Sequence, residues 1–343
     1  MNKDAFRQGL FIVAELSANH NNNLDLAIKT IEAVAHAGAH AVKVQTFTAD
    51  SLTLDVNNEY FGPRKDGLWQ GWRLYELYRQ GALPSEWHST LQKVATSNGL
   101  IFFSAPFARK DVDFLETLEV PIYKVASPEI TDIPLISYIA SKRRPIIIST
   151  GMADEEDIQL AIDTCNKAGN NDITLLKCTS EYPATPDMAN LLTIPDMKQR
   201  FGARVGLSDH TMGYIIPIAA VALGATVIEK HFILDRNLGG IDSAFSMEPT
   251  EFASMVQACK EAYLALGSIT YELTERNRLR RRSLFAVEDI KTDEVFTERN
   301  VQSVRPGHGL HPKYYYDILG KRSVRDIDKG DKLSMKDLND VKS

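Results

Sequence analysis

The sequence predicts a TIM (β/α)8 barrel followed by a small, mostly β domain. Eight short runs rich in Val, Ile, Phe and Tyr recur between residues 10 and 232, and each precedes a longer amphipathic or Ala-rich stretch. This alternation is typical of βα units. A barrel of eight such units takes about 250 residues and carries its functional groups at the carboxyl ends of the strands. A doubly wound parallel sheet is the alternative fold.

The predicted strands follow one another in chain order. They are LFIVAEL at 10–16, AVKVQTF at 41–47, LIFFSA at 100–105, PIYKVAS at 121–127, PIIIST at 145–150, ITLLKCT at 173–179, RVGLSD at 204–209 and TVIEKHF at 226–232. Helices are predicted between and after them, among them 24–37, 84–98, 154–168, 213–223 and 252–266.

The second connection, residues 48–83, is longer than the others, and we call it the aromatic insertion. A connection of that length on a compact barrel is usually functional or forms an interface. Two interpretations stay open: a lid over a substrate, or an excursion that packs on the barrel rim. Its aromatic residues are Tyr60, Phe61, Trp69, Trp72, Tyr75 and Tyr78.

The strand rhythm stops after residue 266, so we predict a barrel domain at 1–266, a linker at 267–283 and a small domain at 284–343. Five arginines between 276 and 282 favour a solvated linker, with a phosphate site as the alternative. Two similar units begin with DIK at 289–291 and DID at 326–328, and Ser334-x-x-Asp337 predicts a helix start. A domain of about 60 residues has a marginal core, so we expect it to dock onto another surface.

The composition argues against several classes of protein. The chain has 343 residues with 39 Lys plus Arg, 45 Asp plus Glu and a net charge of -6, so nothing general favours binding to nucleic acid or an anionic membrane. Three widely spaced cysteines favour a reducing cytoplasm over a disulfide framework or a thiolate zinc site. The first residues lack a signal peptide's apolar segment, and the longest apolar stretch, 215–228, is too short to span a bilayer. We therefore expect a cytoplasmic protein.

Polar residues occur at the carboxyl ends of nearly all predicted strands, where a buried strand is otherwise apolar. Because side chains two residues apart share one face of a strand, we expect each pair to point into the barrel lumen. The pairs are Lys43 with Gln45, Lys177 with Thr179, Ser208 with His210 and Glu229 with His231, and Lys124, Ser127, Glu129 and Ser149 add to the same mouth.

Three lysines among these residues, Lys43, Lys124 and Lys177, predict an anion site. A buried ammonium group without a partner is costly or shifts its pKa. Together with the nearby hydroxyl groups, the lysines are suited to bind phosphate or carboxylate oxygens. Structural ion pairs with the glutamates at the mouth are one alternative. A lysine Schiff base, as in an aldolase, is another.

The two histidines, His210 and His231, follow neighbouring strands, so their imidazoles could converge on one cation. Two imidazoles with water or substrate oxygens in the other positions suit a catalytic divalent metal. The alternative is that each is simply a hydrogen-bonded residue. At the first strand, Glu15 is either an acid or base or the anchor of a loop. ATP-, NAD- and serine-hydrolase chemistry is disfavoured, because the sequence has no GxxxxGKS or GxxxxGKT, no GxGxxG after a strand, no GxSxG and no HExxH.

Several motifs, in order along nearly the whole chain, resemble the sialic acid synthase family and most of all its pseudaminic branch. They are AELSANHN at 14–21, VKVQTF at 42–47, FFSAPF at 102–107, YKVASPE at 123–129, STGM at 149–152, LLKCTSEYP at 175–183, GLSDHT at 206–211 and EKHF at 229–232. The segment SVRPGHGLHPK at 303–313 resembles the antifreeze-like or SAF domain attached to these barrels.

This resemblance implies a transferase that condenses phosphoenolpyruvate with an open-chain amino-sugar aldehyde, giving a 2-keto sugar acid and free phosphate. It implies that His210 and His231 hold a divalent ion, Mn2+ or Mg2+, and that Glu129, supported by Glu15, is the acid or base. The residues that it implies for substrate binding are Lys43, Gln45, Lys124, Ser127, Ser149, Lys177, Thr179, Ser180, Tyr182, Ser208, Asp242 and Arg305. It also implies a homodimer with exchanged small domains, in which Arg305 contacts the N-acyl group of the sugar bound in the partner's barrel.

Some positions depart from the sialic acid pattern. Ala105 stands where sialic acid synthases commonly have threonine, and Ser180 where they have asparagine. These positions, the loop GGIDSAFSMEP at 239–249 and the aromatic insertion favour 2,4-diacetamido-2,4,6-trideoxy-L-altrose over N-acetylmannosamine or a legionaminic precursor. A carbohydrate- or ice-binding protein built on the small domain is an alternative of another class, but it leaves the cationic barrel mouth without a purpose.

Overall fold

The computed structural model describes Phe6 and residues 9–339, and the chain divides into two compact units between Gly267 and Ser268. The first unit is a closed barrel whose eight parallel strands follow one another in chain order. This confirms the predicted TIM barrel over the doubly wound sheet. The strands are β1 (Phe11–Glu15), β2 (Ala41–Thr46), β3 (Ile101–Pro106), β4 (Tyr123–Val125), β5 (Ile146–Ser149), β6 (Ile173–Cys178), β7 (Arg204–Asp209) and β8 (Val227–His231).

Helices surround the strands, and some of them begin where a capping side chain satisfies a backbone N–H group of the first turn. Asp154 accepts a hydrogen bond of 2.9 Å from the N–H of Asp157, and Asn23 caps the first helix in the same way. The helices of this unit are α1 (Leu24–His36), α2 (Ala49–Leu52), α3 (Leu74–Gly81), α4 (His88–Ser97), α5 (Arg109–Thr117), α6 (Ile133–Ser141), α7 (Glu155–Lys167), α8 (Thr193–Phe201), α9 (Ile215–Ala222) and α10 (Pro249–Leu266).

The barrel has two apolar layers, because successive side chains of a strand point to opposite faces. One layer packs between the strands and the helices. The other fills the lumen near the amino ends of the strands. The carboxyl half of the lumen is left to polar side chains, which places the functional groups at that end. The lumen layer consists of Phe6, Phe11, Val13, Ala41, Ile101, Phe103, Ile122, Ile147, Leu176 and Val227.

The apolar stretch at 215–228 is divided between α9 and the start of β8. Across the described residues, every helix is too short or too polar to cross a membrane.

The second unit has its own small core and four short strands. Its two similar segments pair with each other, since Ile290 and Ile327 exchange two backbone hydrogen bonds of 2.8 Å. The predicted helix start is present, where the N–H of Ser334 donates to Asp337 at 2.7 Å. The exposed stretch before β9 contains a helix that the sequence analysis did not predict. The elements are α11 (Glu275–Leu279), β9 (Ser283–Ala286), β10 (Val301–Val304), α12 (Tyr315–Ile318), β11 (Arg322–Ser323) and β12 (Leu338–Asn339).

Candidate active site

A cavity of about 380 Å³ opens at the carboxyl ends of the barrel strands. That volume falls in the range of small-molecule sites, which is about 300–1,000 Å³. Most of the polar residues that the sequence analysis assigned to the mouth line this one cavity. They are Glu15, Lys43, Gln45, Lys124, Ser127, Glu129, Ser149, Tyr182, Ser208, His210, Glu229, His231 and Asp242.

Two lysines and two glutamates form a buried ion network on the cavity floor. Lys43 Nζ lies 3.0 Å from Glu15 Oε2 and 2.9 Å from Glu229 Oε1. Lys124 Nζ lies 3.6 Å from Glu229 Oε1 and donates to Ser149 Oγ at 2.6 Å. The structural alternative for Lys43 is therefore realised, because both glutamates pair with it. Lys124 has a hydroxyl group and a more distant carboxylate as partners, so its charge is less fully compensated.

The charges of this network set the pKa values of its members. Burial alone would raise the pKa of Glu15, but the charges of Lys43, His231 and Lys124 hold it well below its usual range. Burial would likewise raise the pKa of Glu229, but the charges of Lys124 and Lys43 lower it. The pKa of Lys124 is lowered because burial and the charge of Lys43 outweigh the two carboxylates. Both glutamates are therefore ionised at neutral pH.

Glu129 differs from the other two glutamates. It follows β4 in a short 3-10 turn, Ser127–Thr131. Burial raises its pKa to about 7, and its Oε2 atom has no hydrogen-bond partner within the described part of the chain. A carboxyl group with a pKa near the working pH can donate or accept a proton during a reaction. Glu129 is thus the carboxyl group of the cavity best suited to acid or base chemistry.

The two histidines lie side by side, with ring centroids 5.2 Å apart. His210 Nδ1 is 2.9 Å from the carbonyl oxygen of Thr179, an arrangement that leaves Nε2 for another ligand. His231 Nε2 lies 3.3 Å from Glu15 Oε2, and its buried Nδ1 has no partner among the described residues.

These two imidazoles fit a divalent ion that takes its remaining ligands from water or substrate oxygens. The described residues contain no cluster of three or more His, Cys, Asp or Glu side chains arranged around a metal position.

The loops after β4, β5 and β6 meet at Gly151. Its N–H donates to Ser127 Oγ at 3.1 Å. A Cβ atom at this position would collide with Ser180 Oγ and would lie 3.0 Å from Ser127 Oγ, so only glycine permits this approach. Ser127, Ser149 and Lys124 place hydrogen-bond donors at one side of the cavity, whereas Ser180, which the resemblance implied for substrate binding, does not line it.

The loops after β1 and β8 meet at Asp242. Its Oδ2 atom accepts hydrogen bonds from Ser17 Oγ at 2.5 Å and from the N–H of Ala18 at 3.3 Å. Tyr182 packs on the histidines, with its ring centroid 4.5 Å from that of His210. These contacts hold the mouth of the barrel in one arrangement.

The prediction that Lys177 and Thr179 point into the lumen is wrong. In β6 the lumen positions are Leu176, in the inner apolar layer, and Cys178, which lines the cavity. The side chain of Lys177 lies on the opposite face of the strand, away from the lumen. Its Nζ atom donates to the carbonyl oxygen of Cys178 at 2.9 Å and to Thr179 Oγ1 at 3.2 Å. The physical reason is that β6 is packed on both faces and each of its alternating sets mixes apolar and polar residues, so the sequence pattern does not tell the lumen from the helix layer.

Models of known families match nearly the whole chain. The NeuB family model matches residues 30–271, and the SAF domain model matches residues 281–339. The chain belongs to the NeuB family. The resemblance to sialic acid synthases is therefore confirmed.

Curated relatives and a solved structure are similar to this chain over most of their length. A pseudaminic acid synthase of Campylobacter jejuni is 46% identical over 331 residues, covering 96% of each chain. A pseudaminic acid synthase of Helicobacter pylori is 44% identical, covering 95% of this chain and 97% of the relative. A crystal structure of N-acetylneuraminic acid (sialic acid) synthetase from Leptospira borgpetersenii, in complex with citrate, has a TM-score of 0.70 and 32% identity, covering 78% of this chain and 89% of that chain.

The sequence analysis missed several residues of the cavity of this NeuB-family barrel. Arg64 and Trp69 of the aromatic insertion line it, as do Cys178 and Phe245. Cys178 Sγ lies 4.0 Å from His210 Nδ1. Burial alone would raise the pKa of this thiol, but His210, Ser127 and Lys124 lower it to about 7. Leu176 faces the lumen, and Cys178 stands two residues later on the same face of β6. The position of Cys178 in the cavity could therefore have been predicted once the pairing of the strands was known. No local signal marks Arg64, and Trp69 was singled out only as one of six aromatic residues of the insertion.

Arg305 lies in the second unit, before a cis peptide bond to Pro306. Its side chain is exposed and makes no hydrogen bond or ion pair with another described residue. Its predicted role in sugar binding stays a prediction.

Proposed function

We propose that this chain is a pseudaminic acid synthase, which condenses phosphoenolpyruvate with 2,4-diacetamido-2,4,6-trideoxy-L-altrose and releases phosphate. The observation that carries the proposal is the identity of 46% and 44% to pseudaminic acid synthases over 96% and 95% of the chain. Lys124 supports it, because its ammonium group lies 3.6 Å from the nearest carboxylate oxygen and, with the hydroxyl group of Ser149, suits the phosphate or carboxylate oxygens of phosphoenolpyruvate.

The residues of the cavity suit the steps of this reaction. Lys124, Ser127 and Ser149 would bind the phosphate or carboxylate oxygens of phosphoenolpyruvate. Carbon 3 of the enol forms a bond to the aldehyde carbon of the sugar, and Glu129 donates a proton to the aldehyde oxygen. Water then adds to carbon 2 and gives one proton to the carboxylate of Glu129, and the carbon–oxygen bond to phosphate breaks as the new hydroxyl group becomes the keto group and its proton leaves with the phosphate. The fixed negative charges of Glu15 and Glu229 stabilise the cationic character that develops at carbon 2.

We further propose that His210 and His231 hold a divalent ion, Mn2+ or Mg2+. The unpartnered Nδ1 atom of His231 supports this assignment, as does the hydrogen bond that leaves Nε2 of His210 for a ligand. When bound, such an ion acts as a Lewis acid that polarises the aldehyde and orients the sugar.

We also propose an exchanged homodimer, in which Arg305 of one protomer contacts the sugar bound by its partner. The exposed guanidinium of Arg305 supports this role, since it has no partner among the described residues. A cytoplasmic location is supported by the three buried cysteines, which are all free thiols.

The proposal is tested by measuring phosphate release and product mass with phosphoenolpyruvate and a panel of sugars. The panel contains the diacetamido-trideoxy-altrose, N-acetylmannosamine and the legionaminic precursor. We expect release with the first sugar and a product of the corresponding mass. Chelation should abolish the release, and added Mn2+ or Mg2+ should restore it. Phosphate release with only one of the other two sugars would identify a neuraminate or legionaminate synthase. If none of the sugars supports phosphate release, the whole assignment is contradicted.

A further inference from the structure

We propose that the aromatic insertion is the specificity element of this enzyme, and that it forms an apolar wall for the methyl-bearing far end of the sugar. The inference rests on the proposed function. It assigns a role to residues between β2 and α4 that the sequence analysis left open between a lid and rim packing.

The insertion contributes a wall to the same cavity that holds the ion network. The wall residues are Leu52, Arg64, Trp69, Leu74, Leu77 and Tyr78. Four of the six are aliphatic or indole side chains, and the body of Tyr78 is an aromatic ring. Leu52, Trp69, Leu74 and Tyr78 are only partly buried, so they keep apolar surface facing the cavity. Apolar surface in the wall of a binding site recognises the apolar parts of a ligand.

Contacts on both sides of the insertion hold this wall in place. Trp69 Nε1 donates to the carbonyl oxygen of Ile241 at 3.2 Å, in the loop that follows β8. The Trp69 ring is also 5.7 Å from that of Tyr182, measured between centroids. Within the insertion, the N–H of Arg64 donates to the carbonyl oxygen of Trp72 at 2.9 Å. The insertion is therefore an ordered wall that packs on the rim and also faces the cavity.

The depth of the cavity decides which end of the sugar meets the wall. Lys124 lies on β4 and Ser149 ends β5, both at the floor, and in the proposed function they bind phosphoenolpyruvate. The new carbon–carbon bond joins phosphoenolpyruvate to the aldehyde carbon, so the aldehyde end of the sugar must lie near the floor. The opposite end then extends toward the insertion. In the proposed sugar, that end carries the methyl group of carbon 6 and the acetamido group of carbon 4.

Replacement of the wall should therefore weaken discrimination between sugars and leave phosphoenolpyruvate binding unchanged. We would measure kcat/KM for the diacetamido-trideoxy sugar and for its analogue with a hydroxyl group on carbon 6, using Leu74→Ala and Trp69→Leu variants. Loss of apolar contact with one methyl group is worth about 10-fold or more in kcat/KM. We expect at least that loss for the 6-deoxy sugar, a much smaller loss for the 6-hydroxy analogue and an unchanged KM for phosphoenolpyruvate.

The matched control is Leu68→Ala, a substitution of the same kind in the same insertion. Leu68 is 47% exposed and does not line the cavity, so this variant should keep the wild-type preference. An equal loss for both sugars in Leu74→Ala and Trp69→Leu would overturn the inference, as would a matching rise in the KM for phosphoenolpyruvate. In either case wild-type turnover of the 6-deoxy sugar would leave the proposed function standing. Failure of the wild-type protein with every sugar would overturn both.

Discussion

At the scale of single residues, environment separates three glutamates that are chemically identical. Glu15 and Glu229 lie against lysines, and their pKa values are lowered. Glu129 is buried away from such a pair, and its pKa is raised to about 7. Carboxyl groups whose pKa values are pushed apart by their surroundings take different roles in a reaction. Glu129 is accordingly the group that exchanges a proton, while the other two supply fixed negative charge.

The pH dependence of turnover tests this role of Glu129. A general acid must be protonated, so we expect kcat of the wild-type enzyme to fall as the pH rises above about 7. The Glu129→Gln variant should lose about 10²- to 10⁴-fold in kcat and should lack this decrease. The measurement is kcat between about pH 5 and about pH 9, values chosen to span about two units of pH on either side of the pKa. A variant that keeps the wild-type profile would rule out Glu129 as the titrating group.

The fold should survive this substitution. The folded state holds the proton of Glu129 more tightly than the unfolded chain, so its ionisation lowers the free energy of unfolding as the pH rises from about 4.5 to about 7. Glutamine cannot ionise, so Glu129→Gln should unfold no more easily than wild type at pH 8. Glu156→Gln is the control, because Glu156 is exposed in the first turn of α7 and should change neither kcat nor its pH profile.

At the scale of elements, a buried ion pair joins the ends of β7 and β8 on the side that faces the helices. Lys230 Nζ lies 2.5 Å from Asp209 Oδ2, and both side chains are almost fully buried. Lys230 also donates to the carbonyl oxygen of Thr211. Asp209 directly precedes His210, and Lys230 directly precedes His231. The pair therefore holds together the two strand ends that carry the histidines.

Removal of one member should be costly because the other charge stays buried. We expect Asp209→Asn to lower the free energy of unfolding by about 3–5 kcal/mol. The control is Asp196→Asn on α8, where Asp196 pairs with Arg200 at 3.0 Å on the exposed surface and where the loss should be much smaller, because water screens an exposed pair. Urea unfolding measures both. Equal, small losses would show that the buried pair does not stabilise the barrel.

At the scale of the whole molecule, the proposed exchange of small domains predicts complementation between two inactive variants. Arg305→Ala keeps an intact barrel, and His210→Ala keeps an intact small domain. If each site combines one protomer's barrel with its partner's Arg305, co-expressed chains should recover about a quarter of wild-type activity. Each variant alone should stay far below that value. A mixture no more active than its components would contradict the exchange.

Much of the barrel could be predicted from the chain alone. All eight strands lie where their apolar runs indicated, and the polar residues at the ends of β1, β2, β4, β5, β7 and β8 do meet in one cavity. The prediction failed at Lys177 because β6 is buried on both faces and its own pattern does not tell the lumen from the helix layer. It missed Trp69 because the contact of this residue with Ile241 spans 172 positions of the chain.

The sequence by itself determined the order of strands and helices, since alternating apolar runs encode them locally, and it determined which chemical groups stand at the strand ends. Only the tertiary structure decided which face of β6 looks inward, how the aromatic insertion closes on the cavity and why Glu129 holds its proton near neutral pH. Each of these depends on neighbours far away in the chain. Strand pairing, long-range packing and the loss of water around a carboxyl group exist only after the barrel has closed.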